Sequence, residues 1–576
     1  MNRTETHGRR WMTPDADAAR VGDLAGALAL PAPIVRALLH RGLGDAAAID
    51  RYLRPRLSDL GDPFALPDMA PAVDRVWRAI DAGERIVVHG DYDVDGVAAT
   101  ALLTRALRGL GADAQSFLPR RMDDGYGLQE DTVDRCVTEL GARLLVTVDS
   151  GTNADAAVRR AAAQGVDAVV TDHHEPHGAL APAVAVVNPR RAPDAPWSDL
   201  AGVSVAFKLA HALVKRGRDA GRPAAAALDL RGDLPLVALG TIADIVPLRR
   251  ENRILARFGL DEMTRAPSAG LSALIAKAGV RPPIDGEHVG YYLGPRLNAA
   301  GRLGTAEASL ELLLTEDPAR ARALAEELDR ANRERQDVEN GILAEAVAQV
   351  EAAFRPERDY AIVAAARGWH PGVIGIVASR LVSRFRRPAV VIALDGAGGG
   401  RGSCRSVPDL NLVESLAECE AHLRRFGGHA MAAGLEIEEA DVGAFREALN
   451  AVAARRLAGI DLRPVETIDA WISLNEADES LLGHIDAMRP FGCGNPAPVW
   501  ATSGARLLRP PRVVGTRHLK LCVATAGSPI EAIAFGMAGR AIPEGPIDIA
   551  FRLQRNTFNG ATRLQLNVRD LRASAG

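Results

Sequence analysis

Cysteine is scarce in this chain: five in 576 residues, Cys136, Cys404, Cys419, Cys493 and Cys522. An odd number without CxxC spacing excludes a zinc ribbon and gives no disulfide framework, so the thiols are read as reduced. Lysine is scarcer still, at positions 208, 215, 277 and 520 alone. Arginine therefore carries almost all the positive charge, a coding bias rather than a functional mark. No apolar run reaches the roughly 20 residues needed to span a bilayer, which excludes helical insertion into a membrane. Met1-Asn2-Arg3-Thr4-Glu5 opens no apolar stretch, so no secretory signal is expected and the reading is a cytoplasmic protein. Strong net charge is missing too. A balance of −4 neither marks nor excludes a nucleic-acid partner, because clustered carboxylates can mask local arginine grooves.

What is present is a long, ordinary globular composition, 47% hydrophobic and 25% charged. Length alone implies roughly three or four cores. Residues 1–60 read as a helical N-terminal cap, with Ile34, Leu38 and Leu39 at helical spacing and a break near Pro55. From Ile86, short β-rich runs (86–88, 144–148 and 168–170) alternate with helical stretches, which predicts a parallel sheet covered on both faces over 61–314. Asp317-Pro318 is suited to capping a helix, and apolar residues at 324, 328, 331, 338 and 342 mark one face. With no proline before Pro356, this predicts a connecting helix over 315–355. A second α/β unit is expected over 356–462. The alternating runs 519–523, 547–551 and 564–568, with the Asn559-Gly560 turn, predict a β-barrel over 463–576. The fold class is thus α/β multidomain.

Polar clusters close several of the predicted strands, where ligand sites of parallel sheets gather. His89-Gly90-Asp91-Tyr92-Asp93-Val94-Asp95-Gly96 packs three carboxylates into five residues, a costly arrangement unless a cation neutralises it. A calcium loop would need a twelfth-position glutamate and flanking helices, and the preceding strand argues against it. Asp149 ends the second strand and by itself could be an ordinary helix cap. Asp172-His173-His174-Glu175 follows the third, and could be a surface histidine pair. Asp244 sits within an apolar run, where an unpaired carboxylate would be expensive. Together these carboxylates and imidazoles suit two divalent ions, manganese preferred and magnesium accepted, of the kind that clamp a phosphoryl transfer.

The blocks Asp91-Tyr92-Asp93-Val94-Asp95-Gly96, Asp149, Asp172-His173-His174 and Asp244 resemble, in order and context, the motifs of the DHH phosphoesterase family. Three stretches are similar to its RecJ-type branch: Leu293 to Arg302, Trp369 to Arg380, and Pro490-Phe491-Gly492-Cys493-Gly494-Asn495-Pro496. The likeness covers nearly the whole chain. It implies a DHH domain, a DHH-associated domain and a C-terminal OB-fold. It implies that His89, Asp93 and Asp149 hold one metal and that Asp95, Asp149, His173 and Asp244 hold the other. His174 would then face the scissile phosphate, with Asp149 and Asp95 as its catalytic partners, and Asp91 and Asp172 would support the ligands from behind. The Gly427-Gly428-His429 to Gly434 stretch is similar to the phosphate-binding signature of the associated domain. Arg121, Tyr126, Ser403 and Arg405 match a 5′-terminal pocket, and Arg296, Arg302 and His429 would complete the DNA contacts.

The resemblance implies a metal-dependent exonuclease that digests single-stranded DNA from the 5′ end and releases 5′-mononucleotides in recombination and repair. It further implies a monomer that works with a single-strand-binding protein and a RecQ-type helicase, with no membrane partner. Two alternatives stay open at this point. One is another DHH phosphodiesterase, acting on oligoribonucleotides or cyclic dinucleotides; the other is a non-catalytic single-strand-binding scaffold. Val94, Pro371 and Cys404 depart from residues usual in the family, and Cys404 falls within the expected terminal pocket.

Overall fold

The computed structural model describes residues 8–120, 127–558 and 560–574. Its first core is a five-stranded parallel sheet. The strand Leu144–Val148 is central, with Ile86–His89 and then Ala114–Phe117 on one side and Asp167–Thr171 and then Ala185–Val187 on the other. The three inner runs read from the sequence are buried throughout, as strands covered on both faces must be. One face packs against the helices Val94–Gly109, Gly202–Asp219 and Leu234–Ala243 in a single apolar cluster. The opposite face closes over Val133, Cys136, Val158 and Ala161.

The long helix runs unbroken from Pro318 to Ala353, with the Asp317 side chain accepting from the Ala319 amide and Pro318 in the first turn. Its 36 residues span about 54 Å. It is more than a spacer. Ala321, Leu324, Ala325 and Leu328 lie in the core of the first domain, and Ile342, Ala346 and Val350 lie in that of the second. Each half is thus anchored by burial, which fixes both domains to one rigid rod. The second domain is a mixed five-stranded sheet in which Ile362–Arg367 and Ala389–Leu394 are parallel and the rest antiparallel.

The C-terminal domain is a seven-stranded mixed sheet dominated by the hairpin Ile547–Phe558 and Ala561–Ala573. Leu508 donates to Cys522 O and Ala524 to Arg506 O, so the segment after Trp500–Ala505 pairs across and curls the sheet towards a barrel. The N-terminal helices belong to this core. Ile34, Ala37, Leu38 and Ile49 are fully buried against Leu481, Ile485, Trp500 and Phe551, and Arg10–Met12 pairs in parallel with Val465–Thr467. The segment read as a cap is therefore the outer layer of the barrel domain. No single helix is long and apolar enough to cross a membrane.

Candidate metal centre and strand-binding site

The site forms where the parallel strands end. Asp93 caps the helix Val94–Gly109, accepting from the amides of Asp95 and Gly96, so the acidic turn is held by the helix it starts. Asp95 lies in that first turn, fully buried, and its two oxygens accept from the amides of Gly202 (2.7 Å) and Val203 (2.9 Å). A second helix N-terminus thus clamps the carboxylate, as the partial positive charge there favours. Gly202 is required at this point. A Cβ there would sit 2.4 Å from Asp149 Oδ1. Asp149 itself follows its strand with φ of +60°, an unusual conformation for a side-chain-bearing residue and of the kind retained at functional sites.

His173 joins the clusters. Its Nε2 stands 3.0 Å from Asp149 Oδ1, 3.7 Å from Asp244 Oδ2 and 3.9 Å from Asp95 Oδ2. Three groups of donor atoms lie close enough to share an ion: Asp91, Asp93 and Asp149; Asp95, His173 and Asp244; and Asp149, His173 and His174. Asp149 links two of them and His173 links two. His89, two residues before Asp91, is not a member of these three groups; its Nε2 lies 3.2 Å from Thr132 Oγ1 and its ring stacks on Phe117.

Electrostatics mark the same atoms. Burial, reinforced by the charges of Asp244 and Asp93, pushes the Asp95 carboxyl well above its ordinary range, and burial with the Asp95 charge does the same to Asp149. Burial and then Asp93 raise Asp244 to about 7, while burial lowers His173 to about 3. Carboxylates this desolvated, around an imidazole held neutral, are a donor set that a divalent cation satisfies. Asp172 has a different part. Its Oδ1 accepts from the amides of His173 and His174 and from His174 Nδ1 at 2.7 Å, and its Oδ2 accepts from Thr152. Burial works against a charged His174, but the Asp172 hydrogen bond and charge prevail and raise it to about 9. The Asp172 hydrogen bond thereby orients the His174 ring beside Asp149.

Behind the site, the helix Gly294–Leu303 closes the wall. Asn298 Oδ1 accepts from the Val94 amide at 3.1 Å, and Arg302 donates to Gly372 O of the second domain at 3.2 Å. Sequence reasoning missed Gly202 and Val203, which reach the site through their backbone amides, and Asn298, whose side chain accepts from a backbone amide; a residue pattern displays neither kind of contact. Arg296 donates to Asp329 of the long helix and to Tyr292 O, which makes it a brace of the scaffold.

In the second domain, Ser403 and Arg405 share one face of the strand Gly399–Arg405, with Arg405 Nη1 3.2 Å from Ser403 Oγ. Gly375 leaves the space above them, where a Cβ would lie 2.9 Å from Ser403 Oγ. Cys404 points the other way into the apolar core, where burial raises its thiol to about 12. Its departure from the family pattern therefore falls outside the face bearing Ser403 and Arg405. Gly434 pairs with Ser403 and Ala432 with Arg405, which brings the His429 hairpin alongside. Arg121 and Tyr126 lie outside the described residues.

The DHH family N-terminal domain matches residues 85–234, the DHHA1 domain 358–455 and the RecJ OB domain 468–570. The chain is 36% identical to the single-stranded-DNA-specific exonuclease RecJ of Bacillus subtilis, over 98% of this chain and 71% of that protein. It is 35% identical to the protein of the same name from Escherichia coli, over 94% and 95%. A crystal structure of RecJ in complex with Mn2+ from Thermus thermophilus superposes with a TM-score of 0.83 at 32% identity, covering 98% of this chain and 80% of that one.

Proposed function

The chain belongs to the RecJ family within the DHH phosphoesterases, and on that premise we propose that it is a metal-dependent exonuclease specific for single-stranded DNA, digesting from the 5′ end and releasing 5′-mononucleotides. The observation that carries the chemistry is the overlap of the three donor groups at Asp149 and His173. His89, Asp93 and Asp149 would hold one divalent ion, with Asp91 close to Asp93 and Asp149. Asp95, Asp149, His173 and Asp244 would hold the other. Manganese or magnesium bound there supplies Lewis-acid activation and charge neutralisation for phosphodiester hydrolysis.

The protein's own groups do the positioning. The Gly202 and Val203 amides fix Asp95, and Asp172 holds the His174 ring by its Nδ1 proton, leaving Nε2 to face a phosphate oxygen. A charged, half-buried His174 would stabilise the negative charge that develops during hydrolysis. Ser403 and Arg405, with Arg121 and Tyr126, would receive the 5′-terminal phosphate, the guanidinium forking onto its oxygens. His429 and Arg302 would steady the backbone. The barrel suits single strands by charge and stacking. We place the enzyme in the cytoplasm, in recombination and repair, as a monomer working with a single-strand-binding protein and a RecQ-type helicase.

The test is digestion of 5′-labelled and 3′-labelled single strands and of blunt duplex with Mn2+. Immediate release of labelled mononucleotide from the 5′-labelled strand alone is expected. Asp149→Ala should lower the rate by at least about 10³-fold, the scale on which a principal charge-stabilising element acts. Hydrolysis confined to dinucleotides, or equal attack at both ends, would overturn the assignment.

A further inference from the structure

Tyrosine occurs six times in this chain, and two of the six are adjacent, Tyr291 and Tyr292. They sit on a π-helical turn, Val289–Leu293, a distortion frequent at functional sites. Val289 and Leu293 are buried and anchor the turn, whereas Tyr291 is 78% exposed and Tyr292 47%. Among the described residues, Tyr52, Tyr92 and Tyr360 are only partly exposed. Burying such rings would release apolar surface from water, yet the turn holds them outward. Ile245, directly after Asp244, is 70% exposed and has φ of +61°. The metal site thus has an apolar rim.

The helix that follows orders this rim in space. At its start, Gly294 packs on Ala243, next to Asp244. At its middle, Asn298 binds the Val94 amide between Asp93 and Asp95. At its end, Arg302 reaches Gly372 of the second domain, which is three residues before the Gly375 gap over Ser403 and Arg405. The helix has ten residues, about 15 Å, or two to three nucleotides of extended strand. Gly286, just before the tyrosines, lies against Phe491 O of the barrel domain. The order along one wall is therefore terminal pocket, metal centre, tyrosine pair, barrel.

We propose that Tyr291 and Tyr292 form a stacking platform for bases on the 3′ side of the scissile phosphate, gripping the strand between the metal centre and the barrel. Aromatic faces hold single strands without regard to sequence, since every base has a π-face. Arg249, exposed on the loop after Asp244, adds charge for the intervening phosphates. The platform rests on the proposed 5′ polarity, because that polarity puts the undigested strand on the tyrosine side.

The experiment compares the full-length wild type with Tyr291→Ala, Tyr292→Ala, the double variant and Tyr291→Phe/Tyr292→Phe, using a 20-nucleotide strand and a 5′-phosphorylated dinucleotide with Mn2+. The alanine variants should raise KM for the 20-mer about tenfold each, the scale of one lost stacked base. They should change dinucleotide hydrolysis by less than about twofold, a length dependence that general damage to the site would not produce. The phenylalanine pair should restore the 20-mer KM. With EDTA present, 2-aminopurine at the third to sixth nucleotide should be quenched by the wild type and bright with the double variant. A 5′-attacking enzyme whose 20-mer KM is unmoved, or that loses both substrates equally, overturns the platform alone. Attack from the 3′ end by the wild type overturns the polarity and the platform with it.

Discussion

Burial and mutual repulsion push Asp95, Asp149 and Asp244 in one direction, towards the protonated form. In the metal-free protein each such carboxyl destabilises the fold as it ionises. For Asp244, raised to about 7, that cost is absent below the ordinary carboxylate range and complete above pH 7. His174 adds to the trend: raised to about 9, it contributes stability below about pH 6.5 that is lost as pH climbs through 9. A bound cation removes the carboxylate penalty and competes with the protons. We therefore expect Mn2+ to raise Tm by several degrees more at pH 8 than at pH 5.5, where each kcal/mol is worth about 2–4 °C in a domain of this size. Scanning fluorimetry in EDTA and in Mn2+ at the two values checks it, and an equal shift at both would count against a shared carboxylate site. That these carboxylates would gather was legible in the sequence because clustered acids after strands have few inexpensive alternatives. The closeness of Asp91 to Asp93 and Asp149 was not, because residue order does not say which side of a turn a side chain leaves.

Between elements, the centre depends on two helix N-termini meeting it. The helix starting at Val94 brings Asp95 as cargo, and the helix starting at Gly202 offers bare amides to it. The strand-to-helix alternation predicted the first of these helices, since apolar periodicity records which face is buried. It carried no sign that a second helix N-terminus would grip the first turn of that helix, because the contact uses backbone atoms and a missing side chain. Gly202→Ala tests the arrangement. Its methyl group would collide with Asp149, which must shift or leave φ of +60°. We expect activity at limiting Mn2+ to fall about 10²-fold, the upper scale for disturbing groups that orient metal ligands, with partial recovery at high Mn2+. An unchanged Mn2+ dependence would show that Asp95 and Asp149 need no such positioning.

Across the whole molecule, the chain closes on itself. The long helix fixes the first and second domains on one rod, and the N-terminal helices return to complete the barrel core, with Arg10–Met12 zipped to Val465–Thr467. The sequence revealed the apolar face of those helices through Ile34 and Leu38. It could not reveal what covers that face, because a helical period is the same whether the partner lies 50 or 450 residues away. The closure makes the barrel, and not the neighbouring parallel-sheet domain, the unit that depends on the N-terminus. Leu38 is fully buried among barrel residues, so Leu38→Ala should destabilise that domain by about 2–5 kcal/mol. Limited proteolysis should then cut first within the barrel and release a fragment containing the two catalytic domains. That fragment should retain Mn2+-dependent hydrolysis of the dinucleotide while its KM for a 20-mer rises, because the strand loses its outer support. Simultaneous loss of all three domains in a single unfolding step would instead mean that the rod and the clasp make the chain one cooperative unit.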